Sequence, residues 1–405
     1  MKINLNKLLL SLSYTLDFVE MDVLGVTSNH SKRVAYIACR LGKYLGMNEN
    51  ELFDLVTCTI LHDNGVNKYM LDLAAKANTS RRKLILENAE EHCIIGEDNI
   101  INYPFLTDVT NVIKYHHETY NGKGFFNLKG DDIPLMSQLI YFGDIIDNKF
   151  NLKEIDYDKI NRINDFVDKQ ENKLFSPKIV EAFRDVSGKS NFWLDIDDHF
   201  IYYAIRDSIP EIEENINWNK LEEITKIFSS IIDNKSEFTM KHSSGLANKL
   251  EKMGKFYNKD NIEITKLRIA ANLHDVGKLA INNEIIDKPS KLTDEEFYIV
   301  KQHTYLSRIS LQHIEGFEDI TEWACNHHER LDGTGYPYGK KGDELDFNSR
   351  LVACLDIYQA LMEERPYRKG LSHNKSIEIL KNMGQKGWID NNIVEDIDKV
   401  FMKID

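Results

Sequence analysis

The sequence is poor in cysteine, poor in net positive charge and without a long apolar run, and each shortage closes off a class of function. Its five cysteines, Cys39, Cys58, Cys93, Cys325 and Cys354, are scattered with no CxxC pair. That excludes a disulfide-built scaffold, argues against a thiolate zinc knot, and points to a reducing, cytoplasmic setting. The five read as small buried hydrophobes. The formal net charge is −14. A general nucleic-acid surface needs clustered Lys and Arg, so no nucleic-acid partner is expected, although a small anion can still sit in a local basic pocket. No stretch approaches the roughly 20 apolar residues of a membrane span. The short LLLSL run near the start has no small-residue cleavage site and acidic residues follow it, so it does not read as a signal peptide. No run of alternating β-branched residues demands a sheet.

What the chain does have is patterned histidine. Ten of its thirteen histidines fall into two matching sets. His30 pairs with His242, His62-Asp63 with His274-Asp275, and Asp144 with Asp356, each at an offset of 212. His92 pairs with His303, and His116-His117 with His327-His328, at an offset of 211. The flanking text agrees: CTILHDNGV faces AANLHDVGK, and QLIYFGDIID faces RLVACLDIYQ. A near-constant offset means one unit of about 200 residues used twice. We expect a first unit over residues 1–195, an acidic, partly helical connector over 196–218, and a second unit over 219–405. His199, His313 and His373 lie outside both sets and read as surface or packing residues.

Both units read as all-α. Val34, Ile37, Ala38, Leu41 and Leu45 follow His30, and Leu246, Leu250, Met253 and Tyr257 follow His242, in the three- and four-residue steps of a helix stripe. Thr293-Asp294-Glu295-Glu296 is a capping box. Ser176-Pro177 reads as an N-cap with proline at the first helical position. The expected fold is two tandem helical bundles.

Each set holds five histidines and two aspartates. Imidazole and carboxylate suit Fe, Mn, Zn and related divalent ions. Seven donors are too many for one tetrahedral ion. They suit two ions about 3.5–4 Å apart that share a carboxylate, the arrangement that hydrolyses phosphate esters. On a helix, neighbours diverge by roughly 100°, so adjacent His-Asp or His-His can address two sides of one cluster. The plain alternative is a core in which buried His and Asp satisfy one another. An ordered series occurring twice at one offset, with buried Asp costly unless paired, argues against it.

His274-Asp275-Val276-Gly277-Lys278, then His303, HHERLDGTGYP from His327 to Pro337, Arg350, Asp356 and Arg365-Pro366-Tyr367-Arg368 together resemble the HD-GYP class of the HD-domain metal-dependent phosphohydrolases. The resemblance implies a helical HD fold, a two- or three-metal centre and hydrolysis of cyclic di-GMP, or of cyclic GMP-AMP in some members. It implies that His242, His274, Asp275, His303, His327, His328 and Asp356 hold metal, with Asp275 bridging. It implies that Lys278 contacts phosphate and that Arg365 and Arg368 bind phosphate or guanine. Three-metal members carry a glutamate one turn before the first histidine; Phe238 stands there and Glu237 is one residue off. Two divalent ions per unit are therefore expected, Fe or Mn foremost, with Zn, Ni and Co as further options. The family's HxxxG becomes His303 to Ser307. The GYP loop would edge the pocket or meet a protein partner, and a homodimer is open.

The first unit keeps all seven donors: His30, His62, Asp63, His92, His116, His117 and Asp144. It also keeps the HxxxG, from His92 to Gly96. Val66 stands where Lys278 stands, KYHHETYNGKGFF replaces CNHHERLDGTGYP, and nothing matches the run from Arg365 to Arg368. The cage is kept and the anion-binding shell is lost, so the first unit is expected to bind metal and to turn over cyclic di-GMP poorly or not at all. The expected function is a cyclic dinucleotide phosphodiesterase, cyclic di-GMP foremost, with Asp275 and Lys278 at the chemistry. Another nucleotide phosphohydrolase of the superfamily, or a receptor that binds without turnover, are the alternatives.

Overall fold

The computed structural model describes residues 2–23, 27–66, 68–69, 90–212, 214–235, 242–288, 290–364 and 369–402. The chain divides into two compact units, Lys2–Glu214 and Asn215–Asp405. The described residues hold eighteen α-helices, and their only strands are the two-residue pair Lys2–Ile3 and Glu214–Asn215. None of the described helices is long and apolar enough to cross a membrane.

The first unit runs through α1 (Leu5–Val23), α2 (His30–Tyr44), α3 (Glu49–Ile60), α4 (Glu90–Asn99), α5 (Leu135–Phe150), α6 (Tyr157–Gln170), α7 (Pro177–Ser187), α8 (Ser190–Ile196) and α9 (Ile201–Ser208). Helix α2 is central. Its stripe of Val34, Ile37, Ala38 and Leu41 is buried, and it packs on α3, α5 and α9. Much of the segment expected to connect the units is thus packed helix of the first unit. Ile201 and Ile205 of α9 are fully buried, and the Arg33 guanidinium donates to Asp198 at 2.7 Å. Proline opens α7 as expected, but the Ser176 side chain makes no capping bond.

The second unit runs through α10 (Trp218–Asp233), α11 (His242–Phe256), α12 (Asn261–Leu273), α13 (Asn283–Ile286), α14 (Asp294–Leu311), α15 (Glu318–Cys325), α16 (Phe347–Met362), α17 (His373–Gln385) and α18 (Asn391–Phe401). Helix α11 packs on α12 and α16, repeating the way α2 meets α3 and α5. Leu246, Leu250 and Met253 face that core. The capping box opens α14: Thr293 Oγ1 accepts from Glu296 N at 3.2 Å, and Glu296 Oε2 accepts from Thr293 N at 2.7 Å. Two satisfied donors at one helix start fix where α14 begins, and so where His303 points.

Candidate metal centres

The paired motifs sit at helix ends, which differs from the helix-interior placement read from the sequence. His62-Asp63 follows α3, His274-Asp275 follows α12 and His327-His328 follows α15, while His116-His117 lies in a turn. In each case the imidazole turns back to the carbonyl three residues before it. His62 Nδ1 meets Thr59 O at 2.8 Å, His274 Nδ1 meets Ala271 O at 2.8 Å and His327 Nδ1 meets Ala324 O at 2.6 Å. His116 and His303 do the same with Ile113 O at 2.5 Å and Val300 O at 2.6 Å. A carbonyl can only accept, so Nδ1 carries the proton in all five, and each Nε2 lone pair is left to face the cluster.

In the second unit the donors form two groups. His242, His274 and Asp356 make one, and His303, His327 and His328 the other, with ligand-capable atoms within 4.8 Å of one another in each. Asp275 lies between them. Its Oδ2 is 3.1 Å from His274 Nε2, and its Oδ1 is 3.4 Å from His303 Nε2 and 3.7 Å from His327 Nε2. The first unit repeats the plan. His30, His62 and Asp144 form one group, and His92, His116 and His117 belong to the other. Asp63 Oδ2 is 3.4 Å from His62 Nε2, while its Oδ1 is 3.4 Å from His92 and 3.6 Å from His116.

The donor set fits divalent ions on two observations. First, Nε2 of His62, His116 and His274 and Oδ1 of Asp63 and Asp275 are buried without a hydrogen-bond partner, a costly state that ligation would relieve. Second, burial holds His303 at about 3 and His327 at about 4, so both are neutral with lone pairs available. Burial alone would raise Asp275, but His274 and Lys278 beside it hold its carboxyl well below the usual range. The clusters are thus consistent with HD metal centres.

The residues that hold the outer face of the first histidine were not legible in the sequence. His30 Nδ1 meets Asp147 Oδ2 at 2.6 Å, and the fully buried Arg33 donates to both oxygens of Asp147, at 2.7 and 3.0 Å. At the matching positions the second unit has Gly245 and Gln359, and its His242 turns to Glu363 Oε2 at 2.9 Å instead. Burial would lower His242, but hydrogen bonds to Asp356 and Glu363 outweigh it and push the imidazole up to about 10 in the metal-free chain. Asp147 lies one turn after Asp144, a spacing that could have flagged it. Glu363 breaks the repeat offset, so comparing the copies could not find it.

Two further devices recur. A Cβ on Gly65 would lie 2.2 Å from His92 O, and one on Gly277 would lie 2.0 Å from His303 O. Only glycine lets the helix carrying the third histidine approach so closely. The Ser307 that replaces the HxxxG glycine makes a hydrogen-bonded tie: it accepts from Gly277 N and donates to His274 O, both at 2.9 Å. In the first unit Asn64 Nδ2 makes the tie, donating to Leu61 O at 2.7 Å and Gly96 O at 3.0 Å.

The glutamate of each HHE clamps the following loop. Glu118 accepts from Phe126 N and Leu128 N, both at 2.7 Å. Glu329 accepts from Tyr338 N at 2.8 Å and Lys340 N at 3.0 Å. Asp332 shapes the turn itself, accepting from Thr334 N at 2.9 Å. Glu329→Gln puts an NH2 against one of two backbone donors. It is expected to destabilise the second unit by about 1–3 kcal/mol and to open the 330–340 loop to limited proteolysis, with Glu329→Asp milder.

The side chains at the positions read as an anion shell differ between the units where they are described. Lys278 Nζ pairs with Asp275 Oδ2, whereas Val66 is buried and apolar. Tyr336 stacks on His328, ring centroids 4.8 Å apart, while Phe125 meets His117 edge-on at 5.7 Å. A further cation, missed in the sequence, is Lys301, with Nζ 5.6 Å from the Tyr336 ring centroid; its counterpart is Glu90. Arg365, Arg368, Glu237 and Phe238 lie outside the described residues. Arg350 pairs with Asp390 at 2.9 Å, away from the cluster. All five cysteines are buried, as expected, and the Sγ of Cys93 also falls within the His92, His116 and His117 group. Burial pushes its thiol up, and His116 and His92 more than offset that, bringing it down to about 7.

Two helical units, each carrying a His/Asp cluster in which an HD aspartate joins two groups of donors, define a class. The chain belongs to the HD domain family, whose model matches residues 21–151 and 226–393. It is 29% identical over 407 residues to the 3′3′-cGAMP-specific phosphodiesterase 1 of Vibrio cholerae, covering 97% of this chain and 91% of that one. It is 41% identical to a cyclic di-GMP phosphodiesterase of Vibrio cholerae, but over 118 residues, 27% of this chain and 24% of that one. The crystal structure of a cyclic GMP-AMP-specific phosphodiesterase from V. cholerae shares the fold, with a TM-score of 0.70, 24% identity and coverage of 100% and 99%.

Proposed function

We propose that this protein is a metal-dependent phosphodiesterase that opens a cyclic dinucleotide, 3′3′-cGAMP, with the chemistry in the second unit. The observation that carries the reading is Lys278 on Asp275: an ammonium beside the carboxylate that lies between two groups of metal-capable donors. Bound divalent ions supply an acidified water and neutralise charge on phosphoryl oxygens. His242, His274, His303, His327, His328 and Asp356 would hold them and Asp275 would bridge them. Lys278 would hold the charge that grows on a non-bridging oxygen. Tyr336, packed against His328, would edge the substrate site and limit its access to water. In the first unit His30, His62, Asp63, His92, His116, His117 and Asp144 would hold metal without that cation, leaving it a poor catalyst.

The sequence put cyclic di-GMP foremost. The relative that spans nearly the whole tandem is named for 3′3′-cGAMP, whereas the cyclic di-GMP relative matches about a quarter of the chain, which favours the hybrid dinucleotide. Side-by-side kinetics of the full chain loaded with Mn or Fe are expected to give a kcat/KM for 3′3′-cGAMP at least about tenfold above that for cyclic di-GMP. The reverse order would correct the substrate. Tight binding of both without turnover would make the protein a receptor, and turnover of mononucleotides alone would make it a nucleotidase.

A further inference from the structure

The first unit's second donor group contains a residue its counterpart lacks. Cys93 is fully buried. Its Sγ lies 3.5 Å from His92 Nε2 and shares with His92, His116 and His117 a space in which the ligand-capable atoms all fall within 4.8 Å of one another. His116 Nε2, in the same group, is buried with no hydrogen-bond partner, as is Oδ1 of Asp63 beside it. These orphaned atoms point independently to a missing ligand. At the matching place the second unit has Thr304, whose hydroxyl turns back to Lys301 O at 3.0 Å and leaves three imidazoles.

We propose that Cys93 is a further protein ligand in the first unit, adding a thiolate to the His92, His116, His117 and Asp63 donors for a thiolate-compatible divalent ion of the Zn2+ class. With the HD aspartate counted in each unit, the thiolate raises the first unit's group from four protein donors to five, which leaves less of an ion open to water. A soft sulfur also shifts ion preference away from that of an imidazole–carboxylate set. On binding, the thiol proton leaves to solvent and sulfur donates an electron pair to the ion; nothing is oxidised or reduced. The two units therefore differ in the donors they offer: the first adds a sulfur at the place where the second has Thr304 turned away. The inference rests on the reading that the first unit holds metal.

The test uses the full-length chain and Co2+ as a probe. A thiolate-to-Co2+ charge-transfer band in the near ultraviolet is expected for the native protein. It is expected to be lost in Cys93→Ser and retained in Cys325→Ser, the variant that removes the cysteine next to His327. Metal-to-protein ratios are measured alongside, with His116→Ala reporting the first unit's share. If His116→Ala lowers the ratio but the native protein shows no such band, or the band survives in Cys93→Ser, the cysteine proposal is overturned and the first metal centre stands. If His116→Ala leaves the ratio unchanged, the first unit holds no ion at that group and both fall.

Discussion

Asp275→Ala is expected to abolish cyclic dinucleotide hydrolysis and to strip metal from the second unit. Asp275 turns Oδ2 toward His274 at 3.1 Å and Oδ1 toward His303 at 3.4 Å. Without it the two groups of imidazoles lose the carboxylate that lies between them. Asp275→Asn decides between roles. It keeps the shape and removes the charge, so a packing residue would tolerate it, while a bridging ligand cannot. Turnover and metal content that survive Asp275→Asn would show the assignment to be wrong. The parallel Asp63→Ala is expected to remove the first unit's share of metal while lowering turnover far less, because that unit has Val66 where the second has Lys278. Equal loss of turnover from both variants would mean that the first unit takes part in the chemistry.

Gly277→Ala should have the second largest effect, through one added methyl. Its Cβ would sit 2.0 Å from His303 O and 2.8 Å from Ser307 N, both backbone atoms of α14. No rotamer change relieves a clash with backbone, so α14 must move, taking His303 with it. Overpacking of this kind costs about 3 kcal/mol, or roughly 10 °C in Tm for a unit of this size. Calorimetry and metal analysis together check it: both stability and metal content should fall. A milder substitution provides scale. A Cβ on Gly96 would first meet Ile113 Cγ2 at 3.1 Å, a side-chain atom that can shift. A Gly277→Ala protein with unchanged Tm and metal would refute the close-approach account.

These predictions draw on features of different legibility. The seven donors of each unit stood out because ligation needs particular residue types in one order, and the repeat displayed that order twice. Gly277 was visible as a letter in a motif, but its reason, the carbonyl of His303, comes from residues far along the chain. Glu118 and Glu329 were visible in HHE, yet their partners are loop amides that no spacing rule names. Asp147 and Glu363 serve equivalent histidines from non-equivalent positions, so the offset that revealed the ligands concealed their supports. Cys93 is buried as expected of a small hydrophobe, and only the packing of its helix shows that its sulfur faces the histidine group.

The sequence by itself determined the tandem of two helical units, the two histidine–aspartate series and the replacement of Lys278 by Val66 in the first. Each of these depends on residue type and periodicity, which a linear text carries. The tertiary structure decided the rest. It put three of the motif pairs at helix ends, where nearby carbonyls set the tautomers of His62, His274 and His327. It turned the HHE glutamates into loop clamps. It brought Cys93 into the first unit's cluster and turned Thr304 out of the second. Those outcomes depend on distances between atoms remote in sequence, and such distances exist only once the helices have packed.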